Sequence, residues 1–204
     1  MTDAIGSLEA LRDRYGAAKA TTELKRLARL DEHCRAFIAA SPFVVLGTSD
    51  AEGNQDVSPR GDPPGFVRVL DETRLLLPDR PGNKLIDSLS NVLANPKVGL
   101  LFMVPGMNET LRVNGRAQIV TDPALLEPLA VEGRLPPSAL LIEVEEAYLH
   151  CAKAFIRSKL WDPDRQIDRK SFPSLGRMIA DQIAGLDAEK TEAGIQESYK
   201  DRLY

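Results

Sequence analysis

The sequence predicts an α+β fold, an antiparallel β-barrel of six short strands with helices at its periphery. Three features lead there. Short apolar runs recur between clusters of Gly, Pro, Asn and Asp. Segments of helical periodicity stand between them. No regular strand–helix–strand alternation of the kind that builds a parallel sheet is present. A chain of 204 residues, 43% of them hydrophobic, is long and apolar enough to bury a continuous core, and one domain over 1–204 is expected.

The elements follow in order. Residues 22–40, TELKRLARLDEHCRAFIAA, place Leu24, Leu27, Leu30, Cys34, Phe37 and Ile38 at helical spacing. SPFVVLGTSD and AEGNQDVSPR read as a hairpin turning at Gly53-Asn54, and GFVRVL and TRLLLP as a second hairpin turning at Asp71-Glu72. In PGNKLIDSLSNVLANP the stripe Leu85, Ile86, Leu89, Val92 and Leu93 predicts a helix entered through Pro81-Gly82-Asn83 and ended before Asn95-Pro96.

KVGLLFMV resumes a buried strand. TLRVNGRAQIV alternates Leu111, Val113, Ala117 and Ile119 with a polar face of Thr110, Arg112, Asn114, Arg116 and Gln118. Asp122-Pro123 opens a short helix, and ALLIEVEEAYL forms a last strand with Glu143 and Glu145 outward. CAKAFIRSKLWDP reads as a short basic helix, begun near His150 and Cys151 and stopped near Pro163. A helical extension over 171–204 carries Leu175, Met178, Ile179, Ile183 and Leu186.

Composition narrows the function. A net charge of −4 gives no general attraction to nucleic acid or anionic lipid. The longest apolar stretch, VGLLFMV, is far below bilayer-spanning length, and the first residues carry no signal-like core. Cys34 and Cys151 stand alone, so a reducing cytoplasm is the simpler expectation. The pairs His33-Cys34 and His150-Cys151 lack chelating spacing, and no metal site is expected.

The segment VSPRGDPPGFVRVLD, residues 57–71, places Arg60 among turn residues, and LLLPDRPGNKLID brings Arg80, Asn83 and Lys84 to a predicted helix start. Free N–H groups there, the helix dipole and nearby cations suit a phosphate. Arginine supplies paired, oriented hydrogen bonds and lysine a mobile point charge. On spacing alone, solvated cations at an ordinary strand-to-helix turn are the commoner outcome. Asp56, Asp62 and Asp79 could form paired acids, but they sit beside glycines and prolines, where Asp commonly stabilises turns.

The order of SPRGDPPGF, PDRPGNK, a helix to ANP, and then VGLLFMVPGMNETLRVNGRA resembles the pyridoxamine 5′-phosphate oxidase-like, FMN-binding split-barrel family. The resemblance covers residues 40–121, with CAKAFIRSKLW as a further matching stretch. It implies a six-stranded split barrel and a homodimer with FMN in each of two interface clefts. It also implies that the strand bearing Ser58, Pro59 and Arg60 lies along the flavin, and that the turn from Pro78 through Arg80 and Asn83 to Lys84 grips the phosphate. The family's oxidases usually carry Arg just before that lysine. Here Asn83 stands there, so Arg80 or Arg60 would supply the missing cation.

By the same resemblance, Thr110 and Arg112 reach the flavin from the other chain and Trp161 lies near its edge. The wet side of a sheet and an interface anchor are the plainer readings of these residues. The function implied is a flavoprotein, an oxidoreductase passing electrons between a reduced donor and a small acceptor. Its rivals are a non-catalytic flavin- or heme-binding sensor on the same fold, a deazaflavin binder and an interaction module with an empty cleft. The residues single out no catalytic group, and no Ser-His-Asp or Cys-His order stands out.

Overall fold

Burial with a period of two over Phe43–Ser49 and over Lys97–Met103 sets two neighbouring strands against one apolar layer, and the rest of the sheet extends from that pair. In the computed structural model, which describes residues 4–204, the strands are β1 (Phe43–Ser49), β2 (Gln55–Gly61), β3 (Arg68–Val69), β4 (Arg74–Pro78), β5 (Lys97–Met103), β6 (Thr110–Val120) and β7 (Ala139–His150). The helices are α1 (Leu8–Tyr15), α2 (Ala20–Leu24), α3 (Glu32–Ala40), α4 (Asp87–Ala94), α5 (Pro123–Leu126), α6 (Lys153–Ser158), α7 (Leu175–Gln182) and α8 (Ala188–Asp201). None is long and apolar enough to cross a membrane.

One antiparallel sheet runs β2-β1-β5-β6-β7-β4-β3. The expected α+β architecture is present, with seven strands in place of six; the shortest, β3, has two residues and pairs with β4 as the expected second hairpin. Strands β2 and β3 are the two edges. Pro59 lies in β2 opposite Val45, and proline is tolerated there because an edge strand need not donate every N–H to a ladder.

The main core gathers Leu30, Phe37 and Ile38 under the inward faces of β1, β4, β5, β6 and β7, including Val44, Leu46, Leu75, Leu77, Leu100, Phe102, Leu111, Val113 and Ile142. A smaller cluster of Leu76, Leu126, Leu129 and Ala139 lies where α5 packs on β4 and β7. Leu75, Leu76 and Leu77 are therefore all buried, and β4 carries an unbroken apolar run because both of its faces are covered.

Four expectations are corrected. Residues 22–40 are not one helix. Leu27 exchanges backbone hydrogen bonds of 3.0 and 2.7 Å with Ala147 of β7, and Asp31 then caps α3 by accepting from the Cys34 N–H at 2.8 Å. Leu24, assigned to the apolar stripe, is exposed.

The helix expected from Pro81-Gly82-Asn83 starts only at Asp87, since Lys84 and Ile86 hold left-handed backbone (φ 62° and 56°). Of the expected stripe, Leu85, Ile86 and Leu93 are exposed and Val92 is buried, and α4 also buries the polar Ser88 and Asn91. In β6, Thr110 is buried although it was placed on the polar face, and a bulge at Asn114/Gly115 resets the register. Finally, His150 ends β7 and does not start α6, which stops at Lys159 (φ 51°), short of Pro163.

Candidate functional site

The two ends of the sheet approach each other where β2 faces the chain leaving β4. Side chains, and no backbone ladder, connect them. Arg60 Nη1 donates to Asp79 Oδ1 at 3.0 Å, and Arg80 Nε donates to Asp62 Oδ2 at 2.6 Å. Both pairs are largely buried, Asp62 almost completely. Asp79 is itself fixed, because its N–H donates to the Ser138 carbonyl at 3.0 Å just before β7.

Helix α4 lies against this seam through a polar layer. Asn91 Nδ2 donates to Asp56 Oδ2 at 2.7 Å and to Thr48 Oγ1 at 3.1 Å, tying α4 to β2 and β1. The Ser58 and Ser88 hydroxyls meet at 3.1 Å. Buried polar groups are costly unless partnered, so these bonds explain why an amphipathic helix presents Ser88 and Asn91 inward.

Between β2, the 79–86 segment, the start of α4 and Pro137-Ser138 lies a cavity of about 580 Å³. That volume is typical of a small-molecule or cofactor cleft. Arg60, Arg80 and Lys84 line it with Asp56, Asp79 and Asp87, so an anion gains little from net charge and much from arrangement. Arg60 and Arg80 each have one carboxylate partner, whereas Lys84 has no ion-pair partner among the described residues. Arg60 Nε is buried without a hydrogen-bond acceptor. Arg60 lines both this cavity and a small adjoining void, so the seam retains a donor whose partner is missing.

The predicted site residues thus divide. Ser58, Arg60, Arg80, Asn83 and Lys84 line the cavity together. Asn83 Oδ1 accepts from the Leu85 N–H at 3.1 Å and shapes the loop. Pro59 is exposed and does not line the cavity, and buried Pro78 lines a small adjoining void with Leu77, Leu89 and Leu140.

Thr110, Arg112 and Trp161 do not line the cavity. Thr110 faces His150 in the β6–β7 ladder. Arg112 donates to the Tyr148 hydroxyl at 3.0 Å, and Lys25 lies 5.4 Å from the centre of the same ring. Burial, with Arg112 and Lys25 nearby, holds His150 below the usual imidazole value. Trp161 donates to the Met107 carbonyl at 2.7 Å and stacks on Phe155 at 5.6 Å.

Several residues that shape the site were not among the predicted ones. Asp62 and Asp79 are ion-pair partners of the two arginines, and Asp56 is held by Asn91. One signal was available: Asp56, Ser58 and Arg60 fall at every second position and share one face of β2. No comparable signal marks Ser88, Asn91, Ser138 or Tyr204. The Tyr204 hydroxyl donates to Asp62 Oδ1 at 2.5 Å, and that bond, with burial, raises its phenol above the ordinary value.

Residues 30–151 match the sequence model of the family described as pyridoxamine 5′-phosphate oxidase, which is more than half of the chain. Among solved structures, the chain is similar to a pyridoxamine 5′-phosphate oxidase candidate from Lactobacillus delbrueckii, at 25% identity over 61% of this chain and 98% of that one (TM-score 0.46). An FMN-binding protein from Syntrophomonas wolfei shares 13% identity over 72% of this chain and 98% of its own (TM-score 0.49). HutZ, a heme storage protein from Vibrio cholerae, shares 16% over 60% and 94% (TM-score 0.44). No curated protein sequence matches the chain.

Proposed function

The chain belongs to the pyridoxamine 5′-phosphate oxidase family, and from that premise we propose that it is an FMN-binding flavoprotein that passes electrons from a reduced donor to a small-molecule acceptor. The observation that carries this reading is the convergence of Arg60, Arg80 and Lys84, from two separate chain segments, on one cofactor-sized cavity. The phosphate of FMN is the anion such a cationic set fits. The Ser58 and Ser88 hydroxyls, and Asp56 held by Asn91, are suited to the sugar-alcohol chain, which needs acceptors as well as donors.

When bound, flavin supplies the two-electron chemistry, and the protein's part is to seat and orient it. Arg60 and Arg80 are oriented by Asp79 and Asp62, so they meet an anion with little rearrangement. A heme reading is less well supported by these residues. Among the described residues, no His, Cys, Met or Tyr of this chain lines the cavity to serve as an axial ligand.

The proposal includes a homodimer with FMN at the interface. Val57, Leu85 and Ile86 line the cavity rim and are exposed, as apolar side chains awaiting a partner surface would be. In that assembly the exposed Arg112 would come to the cofactor from the partner subunit and Trp161 would lie near the flavin edge, whereas Thr110 is buried within its own chain and takes no part in that contact. The free thiols Cys34 and Cys151 suit a reducing cytoplasm.

The test is the visible spectrum of the protein as purified, with the released ligand identified by mass, followed by stopped-flow mixing with reduced pyridine nucleotide. A flavin spectrum and FMN mass are expected, and bleaching of the flavin band marks electron transfer. A Soret band would give the cavity to heme. Flavin that no donor reduces would leave a binding protein without the redox step.

A further inference from the structure

Arg80 is held from two sides by residues remote in sequence. Asp62 accepts from its Nε through Oδ2 at 2.6 Å, while the other oxygen, Oδ1, is taken by the Tyr204 hydroxyl at 2.5 Å. The Tyr204 ring lies 5.6 Å from the Arg80 guanidinium, and the Tyr204 carbonyl accepts from Arg134 Nη1 at 2.8 Å, which anchors the segment after α8. Arg80 itself lines the large cavity.

An arginine facing a carboxylate with both oxygens free tends to form two parallel hydrogen bonds. Here Tyr204 occupies one of those oxygens, so Asp62 holds Arg80 by Nε alone. The two terminal nitrogens of Arg80 then make no hydrogen bond among the described residues.

We propose that Tyr204 is a positioning residue of the cavity's anion site: by occupying Asp62 it keeps the terminal nitrogens of Arg80 available to a ligand phosphate. The inference rests on the FMN reading of the cavity. Without the hydroxyl, Asp62 draws Arg80 into a two-point pair and the phosphate loses a charged donor. The ring, still stacked on Arg80, leaves the fold in place.

The experiment is a fluorescence titration of wild type, Tyr204→Phe, Asp62→Asn and the double variant with FMN and, separately, with riboflavin, which lacks the phosphate. Tyr204→Phe is expected to weaken FMN about tenfold, the cost of one charge-assisted hydrogen bond, and to leave riboflavin within about twofold. In the Asp62→Asn background the same change has no further effect, because the amide cannot form the two-point ion pair. Unchanged FMN affinity in Tyr204→Phe overturns the inference, as does equal weakening of both flavins, which would mark a merely structural role. Wild-type protein that binds neither flavin overturns the FMN reading and this inference with it.

Discussion

Replacing Lys84 by glycine should make the empty protein more stable and the cofactor weaker. Lys84 adopts φ 62°, a left-handed conformation that costs a side-chain-bearing residue about 1 kcal/mol and glycine almost nothing. It is exposed and unpaired among the described residues, so its removal sacrifices no native contact of note. Relief of about 1 kcal/mol corresponds to a rise of about 2–4 °C in Tm for a chain of this size. Loss of a charged donor to phosphate costs about 1.5–3 kcal/mol, a ten- to hundredfold rise in the FMN Kd. Calorimetry of the ligand-free variant and flavin fluorescence titration read the two quantities separately. Lys84→Arg keeps both charge and strain, and should match wild type in Tm while holding affinity within a few-fold. A Lys84→Gly variant with higher Tm and undiminished FMN affinity would refute Lys84 as an anion ligand, and one with lower Tm would refute the strain argument.

Three further outcomes follow from particular contacts. Burial pushes the Cys34 thiol from an ordinary 9.0 up to about 11, so the folded state resists its ionisation. The stability this represents is complete below pH 9 and falls by about 2–3 kcal/mol as pH rises to 11; urea melts across that range should show the decline, and Cys34→Ala should flatten it. Asn91→Ala strands the buried Thr48 hydroxyl and loosens Asp56, at a cost of about 2 kcal/mol in chemical denaturation. A Cβ on Gly115 would sit 2.1 Å from the Glu143 carbonyl, so Gly115→Ala should cost about 3 kcal/mol by thermal melt, and a neutral result would refute the close packing of the bulge.

Much of the fold was legible because local pattern and tertiary role agreed. The hairpin built from SPFVVLGTSD and AEGNQDVSPR, the apolar run of β4 and the Asp122-Pro123 helix start all survive in the structure. The cationic set Arg60, Arg80 and Lys84 also converges on one cavity as chain order suggested. What stayed hidden depends on distant partners. Nothing local in residues 22–40 announces that Leu27 will leave the helix to pair with Ala147, and the stripe through Leu85 and Ile86 gives no hint that both stay exposed. Tyr204 meets Asp62 across 142 residues, and only the folded chain brings them together. The aspartates were misread for a related reason: a turn-like neighbourhood is visible in sequence, whereas the guanidinium each will face is not.

The ion pairs that span β2 and the end of β4 do the work that rungs of main-chain hydrogen bonds do elsewhere in the sheet. Side chains release one at a time, so this is where the empty protein should open first under native conditions, ahead of any cooperative unfolding. A molecule seated there would act as a clasp. Amide protons of the non-proline residues within 56–61 and 79–82 should then exchange more slowly as ligand is added, while those of the central β5 and β6 barely change.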